Sequence, residues 1–504
     1  MSNNPNDAVA TPQANDVGRL ARRGAMWAGA TVVGRQISAF ITSIILAHLL
    51  SPAEFGINAM AMTMTWFLTF LSDAGLSMVT IQRRELSKQQ VDNLFWVNVA
   101  VGVLLWAACT ASGPLLADFY KRPELTRVMA VLGLTFIAGG FGVQPLALMR
   151  RNLKQRDIAM QEAVSALVFA GLGIGLALAG FSYWALIYQT VGYTCARTVM
   201  VFVQSGYRPG PWHRNVGTRG LLKFGGAMCL YAILVYLSRN LDNIMIGRHW
   251  GAEALGYYSR AYFLMMAPSL LIATSLADVM VPSLSALKHD PERMGDAYRR
   301  TMRLIAFLGC PISLWLALSS SEVIRLVYGP KWAPVSPILL WLSVAGLFQP
   351  LYNTIGWLFL VMGATRAMLI WSLGSTCVLA MAFGISLPYG ATAVAAAYAV
   401  VMTFGLALPG LGMAHRAAGL SLWRTVRPLV PIVVGAVGAA GIAMATGYET
   451  ERLGLPWLAV LLVKTLVALG VYVVWAMWRL RPLPIERLEA LAQVWAPRTD
   501  SYKT

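Results

Sequence analysis

The chain has 504 residues, of which 57% are hydrophobic and only 12% are charged. Soluble domains carry about a quarter charged residues, so this composition excludes an ordinary soluble protein. The net charge of +18 could suggest nucleic acid, but Lys and Arg occur in short clusters between apolar runs. A duplex needs a continuous basic stripe, so nucleic-acid binding is excluded as well.

Apolar runs of about twenty residues, the length that crosses a bilayer, follow one another along the chain. The first six predicted spans are Gly24–Leu50, Phe55–Val79, Leu94–Leu116, Leu125–Leu148, Ala159–Gly180 and Ser182–Val203. The next six are Gly220–Gly247, Leu255–Leu284, Met302–Leu318, Ile338–Met362, Met368–Leu387 and Ala391–Met413. The last two are Leu429–Ala445 and Pro456–Trp478. We therefore predict an all-α integral membrane protein of about fourteen transmembrane helices.

A faint internal repeat predicts how these helices are organised. The loops Leu50–Gly56 and Trp250–Gly256 lie about 200 residues apart, each after a span that contains an arginine. We predict two pseudo-symmetric six-helix lobes, related by a rotation about the membrane normal, followed by two extra C-terminal helices. The predicted domains, in chain order, are a disordered cytoplasmic tail 1–22, the N-lobe 23–213, the C-lobe 214–413, helices 13 and 14 in 414–482, and a cytoplasmic tail 483–504.

Basic residues set the predicted orientation. Most Lys and Arg fall on alternate loops, as in Arg83, Arg84 and Lys88, and again in Arg150, Arg151 and Lys154. Such loops stay in the cytoplasm, so both termini are expected there, in a multi-pass protein of the bacterial inner membrane. Two further stretches are predicted to lie along the membrane surface, Ser319–Pro337 outside as a helix and turn, and Leu420–Pro428 inside.

Ionisable side chains within the spans are the candidate site residues, because each costs about 2.5–3.5 kcal/mol at membrane depth. Arg35 and Arg239 lie deep in equivalent spans, and we expect them to face each other and bind an anionic ligand. Arg197 is a weaker candidate. Asp242, three residues after Arg239, would hold that guanidinium, although an ion pair that only fixes packing stays open.

The remaining candidates are amides and carboxylates. Two amides complete the predicted substrate-binding set: Asn240 and Gln144. Three carboxylates could couple transport to an ion: Asp73, Glu162 and Asp278. Each carboxylate is equally well explained as a helix-end residue in contact with water. The sequence contains no GxSxG, HExxH or phosphate-binding GxxxxGK[ST] pattern, and its five cysteines form no CxxC pair. No catalytic residue, metal site or cofactor is therefore expected.

Four stretches carry a resemblance to a known family: Leu71–Val99, Tyr236–Tyr262, Val327–Leu347 and Gly356–Arg366. In them the chain resembles the Wzx-type polysaccharide flippases of the multidrug/oligosaccharidyl-lipid/polysaccharide superfamily, and is most similar to the colanic-acid and exopolysaccharide branch. Asp73, Arg239 and Asp242 belong to the resembling stretches, whereas Arg35 and Arg197 do not. Pro330 departs from the pattern, because relatives usually carry an acidic residue there.

The resemblance implies fourteen helices in two lobes around a cleft that opens to one side at a time. The implied cargo is an oligosaccharide on undecaprenyl diphosphate, moved from the cytoplasmic to the periplasmic leaflet. Implied partners are membrane lipids, a polysaccharide polymerase, and chain-length and export proteins. Two alternatives stay open: a cation-coupled drug exporter of the same superfamily, against which the arginines argue, and a polysaccharide polymerase or ligase, for which the outer loops are short.

Overall fold

The computed structural model describes residues 34–72, 80, 86–214 and 226–481, apart from the side chains at 70, 71, 226–235, 237, 238, 269–275 and 278. Most of these residues are helical, and they contain no β-strand. The chain forms two compact units, Met1–Gly256 and Tyr257–Thr504. The all-α class is confirmed, whereas the predicted lobe limits stay predictions.

The first unit consists of long helices joined by short turns. Its first six helices are α1 (34–49), α2 (Pro52–Ser72), α3 (Lys88–Tyr120), α4 (Glu124–Arg151), α5 (Gln155–Leu178) and α6 (Trp184–Ser205). The next helical stretch, Gly226–Ala286, is interrupted at Gly251, whose φ of 80° and ψ of −173° are not helical. We name its parts α7a (226–250) and α7b (252–286); the first unit ends within α7b.

The second unit continues with long helices and several short ones. In chain order these are α8 (Pro291–Leu318), α9 (Ser320–Val327), α10 (Val335–Gly346), α11 (Gln349–Asn353), α12 (Ile355–Met362), α13 (Thr365–Ser386), α14 (Ala391–Val400), α15 (Leu408–Ala417), α16 (Leu422–Val426), α17 (Val430–Arg452) and α18 (Trp457–Arg479). A 3₁₀ turn, Pro330–Trp332, follows α9, so the predicted helix and turn outside the spans are present.

Eight helical segments of the described chain are long and apolar enough to cross a membrane, or nine if one bent pair counts as a single span. A multi-pass membrane protein is therefore confirmed. The count of fourteen stays a prediction, since several predicted spans include residues outside the described part.

Two predicted spans are not regular helices, and proline explains both departures. The span Ile338–Met362 is broken between α10 and the following helices, which are bent by 48°. Pro350 has no N–H to continue the helical hydrogen bonds, and the preceding turn tightens through Phe348 N–H to Ala345 O at 3.0 Å. In the same way a π-helical turn, Val401–Ala407, precedes Pro409 between α14 and α15.

The loops of the first unit separate into two ends, as alternating spans require. At one end, Ser182 donates to the Glu54 carboxylate, and Gly247 lies against the ring of Tyr120. At the other end, Lys154 Nζ lies 3.5 Å from Gln204 O. Predicted outer loops thus meet outer loops, and predicted inner loops meet inner ones.

Two glycines meet at the predicted outer end of the first unit. A Cβ built on Gly56 would lie 1.7 Å from Ala252 O, and one built on Gly256 would lie 1.9 Å from Pro52 O. No side chain fits in either place, so glycine is required for the backbones of α2 and α7b to approach this closely. The partners differ by the same offset, 252 − 52 = 256 − 56 = 200, so the contact is reciprocal within the predicted repeat.

Candidate functional site

The two predicted ligand-binding arginines are exposed. Arg35 lies near the start of α1, and Arg239 lies in α7a. Among the described residues neither guanidinium forms an ion pair or a side-chain hydrogen bond. Each could therefore bind an anion through paired, charge-assisted hydrogen bonds without first breaking an internal pair described here.

Asn240 and Asp242 are buried next to the exposed Arg239. The Asn240 amide donates to Tyr236 O at 3.1 Å, and Asp242, only 3% exposed, accepts from the backbone N–H of Asn243 at 2.8 Å. The predicted Arg239–Asp242 ion pair is not among the ion pairs of the described residues. The i, i+3 spacing allowed this pair, but α7a directs the carboxylate into the protein and the guanidinium outward.

Arg197 and Glu162 form an ion pair that the sequence did not suggest. Arg197 Nη2 on α6 lies 3.1 Å from Glu162 Oε1 on α5, with side chains 29% and 15% exposed. Two residues predicted for separate roles, substrate binding and ion coupling, are thus one pair. Among the described residues, the buried Nε of Arg197 has no hydrogen-bond partner, and neither has either amide atom of the fully buried Gln161 beside Glu162. This part of the first unit therefore retains unused donors.

Gln144 lies in a closed hydrogen-bond network. Its Oε1 accepts from Thr80 at 2.7 Å, and its Nε2 donates to Asn98 Oδ1 at 2.9 Å. Arg151 Nη1 then donates to Thr80 O at 3.0 Å. Gln144 has no exposed surface in this conformation, so its amide holds α3, α4 and residue 80 together. A direct contact with substrate would require the network to open.

Two candidate carboxylates fall outside the described structure. Asp73 follows α2 directly but is not described, and only the backbone of Asp278, in α7b, is described. Their role in ion coupling stays a prediction. Within the described residues no group of three or more His, Cys, Asp and Glu side chains could hold a metal ion.

Sequence reasoning missed a clamp at the predicted inner end of the first unit. Residues 206–214, which we name the strap, run back over the first turns of α3. The Asn93 amide donates to His213 O at 2.7 Å and accepts from His213 N at 2.8 Å, and Trp96 Nε1 donates to Gly210 O at 2.8 Å. Asn93 is 1% exposed, so the strap covers it almost completely.

A phenol and a carboxylate strengthen the clamp. Tyr207 donates its hydroxyl to Asp92 Oδ1 at 2.6 Å. Burial raises the pKa of Tyr207 above its ordinary value of 10.0, and the hydrogen bond and negative charge of Asp92 raise it further. The phenol therefore keeps its proton and stays a donor. The sequence contains one signal for this clamp. An Asp-Asn pair lies directly before a predicted span and is followed by Trp96.

The second unit contains a buried ion pair at its predicted outer end. Lys464 on α18 donates to Glu322 on α9, with side chains only 10% and 7% exposed. A second carboxylate oxygen, on Glu451, lies 3.8 Å from the same ammonium group. Lys464 lies inside the last predicted span, and the structure gives it a buried acidic partner on a short helix.

The described arrangement combines helices of membrane-spanning length, proline-associated breaks, and exposed arginines that no described acid neutralises. Such arginines can bind an anionic group through charge-assisted hydrogen bonds.

Comparisons with known proteins assign the family. The family model described as "Polysaccharide biosynthesis protein" matches residues 45–337, more than half of the chain. The chain is 25% identical to the lipopolysaccharide biosynthesis protein WzxC of Escherichia coli, over 82% of this chain and 86% of that protein. It is 25% identical to the succinoglycan biosynthesis transport protein ExoT of Rhizobium meliloti, over 68% and 69%.

The fold is that of a known transporter structure. The chain matches the inward closed conformation of the lipid II flippase MurJ with a TM-score of 0.72 at 15% identity, covering 91% of this chain and 99% of that one. At this identity the likeness describes the fold alone. Together with the family match over residues 45–337, it leads to one conclusion: the chain is a member of the polysaccharide biosynthesis protein family.

Proposed function

We propose that this protein is a flippase that carries a lipid-linked oligosaccharide across the bacterial inner membrane for exopolysaccharide synthesis. Its relatives are named for lipopolysaccharide biosynthesis and for succinoglycan transport, and its fold matches a lipid flippase. It is a transporter and not an enzyme. The carrier lipid is undecaprenyl diphosphate, both termini lie in the cytoplasm, and the polymer is completed outside by a polymerase with chain-length and export proteins.

The observation that carries the proposal is the pair of exposed arginines on α1 and α7a. A diphosphate that leaves water needs positive charge in return, because an unpaired anion is very costly in an apolar environment. Arg35 and Arg239 have no described acidic partner that must first be displaced. We assign them to the diphosphate, with Asn240 and Arg197 as further contacts, and Asp242 and Gln144 as residues that hold the supporting helices.

The test is export in a strain that lacks the chromosomal gene. Loss of the protein should abolish polymer and leave lipid-linked repeat units on the cytoplasmic side. Arg239→Ala and Arg35→Ala should each reduce export at least tenfold with normal membrane insertion, whereas Arg239→Lys should restore it in part, because an ammonium keeps the charge but loses the planar pair of donors.

A matched control uses another exposed arginine of the same helix. Arg248 lies near the end of α7a, with its guanidinium 5.5 Å from the centre of the Phe119 ring, so Arg248→Ala should leave export normal. Normal export by both Arg35→Ala and Arg239→Ala would refute the arginine site. Export of cationic drugs without any loss of polymer in the deletion strain would favour the drug-exporter alternative.

A further inference from the structure

The reciprocal glycine contact between α2 and α7b is one end of a longer seam, which continues between α2 and α7a. Further along α2, the Tyr236 hydroxyl of α7a donates to Thr63 O, and the rings of Tyr236 and Phe67 lie 5.7 Å apart. From Gly56 to Phe67 the seam extends over eleven residues of α2, or about 16 Å of helix. It therefore covers about half of a 30 Å hydrocarbon core, starting from the predicted outer end.

The outer part of the seam is a close contact between backbones. At Gly56 and Gly256 the nearest atoms of the facing helix are the backbone oxygens of Ala252 and Pro52. Deeper in the seam, the bond from Tyr236 ends on a carbonyl that also belongs to the backbone of α2. Beside the glycines, the helix is interrupted at Gly251, where a Cβ would meet nothing within 4 Å. Gly251 is thus required for its positive φ and not for lack of space.

We propose that this seam closes the outer half of the transport path and opens for the cargo to leave. Gly56 and Gly256 permit the closed position, Tyr236 latches it, and Gly251 is the hinge. The inference rests on the proposed flippase function and on the predicted orientation. A reciprocal contact between repeat-related residues favours this assignment, because a local twofold axis allows both helix ends to swing apart symmetrically.

The first experiment measures opening directly. Thr63, whose side chain is 6% exposed, is changed to Cys in a cysteine-free background and labelled from outside with a membrane-impermeant maleimide. Gly56→Ala adds a Cβ 1.7 Å from a backbone oxygen, where ordinary contact begins at 3.4 Å, so the helices must separate. We expect labelling at least tenfold faster than in Gly139→Ala, the control glycine with open space around it. Equal rates in the two variants would overturn the proposal.

The second experiment locks the seam and does not depend on whether Gly56→Ala folds. Cysteines replace Thr63 and Tyr236, and a short bifunctional thiosulfonate reagent bridges them. Cross-linking should reduce polymer export at least tenfold, and a reducing agent should restore it; unchanged export after complete cross-linking would show static packing.

The labelling readout needs no cargo, so it stays informative if the flippase proposal fails. Faster labelling in Gly56→Ala together with normal polymer in the deletion strain would support the seam and reject the proposed cargo.

Discussion

The buried pair of Lys464 and Glu322 allows a stability prediction worked from the structure. In Lys464→Met the nearly buried Glu322 carboxylate loses its counter-charge. We expect this to lower the free energy of unfolding by about 3 kcal/mol. Glu322→Leu leaves Lys464 with the Glu451 oxygen at 3.8 Å, so it should cost less, about 1.5 kcal/mol.

The double variant is the informative one. Replacing a buried ion pair by apolar residues is often neutral, so Lys464→Met with Glu322→Leu should cost no more than about 1.5 kcal/mol. The two single costs are then non-additive by about 3 kcal/mol. Arg452→Met serves as the control, since its pair with Glu449 is about 65% exposed and should contribute at most about 0.5 kcal/mol.

The assay is unfolding by sodium dodecyl sulfate in mixed micelles, followed by tryptophan fluorescence. The reasoning is refuted if the double variant loses as much free energy of unfolding as the two single variants together. It is also refuted if Arg452→Met loses as much as Lys464→Met.

Acid titration checks the same pair in a second way. Burial alone would raise the pKa of Glu322, but hydrogen bonds from Lys464, its own backbone N–H and Ser321 outweigh burial and lower it below 4.5. Stability from this carboxylate is present above pH 4.5 and lost as the pH falls through the lowered value. Glu322→Leu should lack this acid-dependent loss.

Three further predictions concern topology and the buried polar groups. A cysteine at Lys331 should be labelled from outside, whereas one at Lys154 should be labelled only after permeabilisation; the reverse pattern would contradict the orientation. Asn93→Ala should release the strap, cost about 1–3 kcal/mol of stability in the detergent assay, and expose residues 206–214 to protease. Gln161→Met should stabilise the protein by about 1 kcal/mol, because it removes a buried amide that has no hydrogen-bond partner among the described residues. Lost transport in a stabilised variant would instead indicate a ligand contact.

Within the described residues, most predicted spans coincide with helices because hydropathy measures what a bilayer requires of each segment. Pro350 and Pro409 were recognisable as helix-disturbing residues, but their effects differ, a 48° break in one place and a π-helical turn in the other. The outcome depends on how neighbouring helices satisfy the freed backbone groups, and local sequence does not contain that information.

The site was predicted less well because tertiary packing determines which charged side chains form ion pairs. Spacing along α7a made Arg239 and Asp242 neighbours, yet only the folded protein determines which of them is buried. Arg197 and Glu162 are 35 residues apart on different helices, and Lys464 and Glu322 are 142 residues apart. Periodicity indicates which face of a helix a residue occupies, whereas its partner across that face depends on the fold.

The strap has a consequence for biogenesis. Residues 206–214 are synthesised directly after α6, when α3 and its Asn93 have already left the ribosome. The clamp can therefore form before any residue of the second unit has been synthesised. It ties the segment that follows α6 back to α3. A membrane insertase would then receive α7a after the first six helices have been clamped together. Two polypeptides divided between residues 214 and 226 should accordingly assemble when they are made together in one cell.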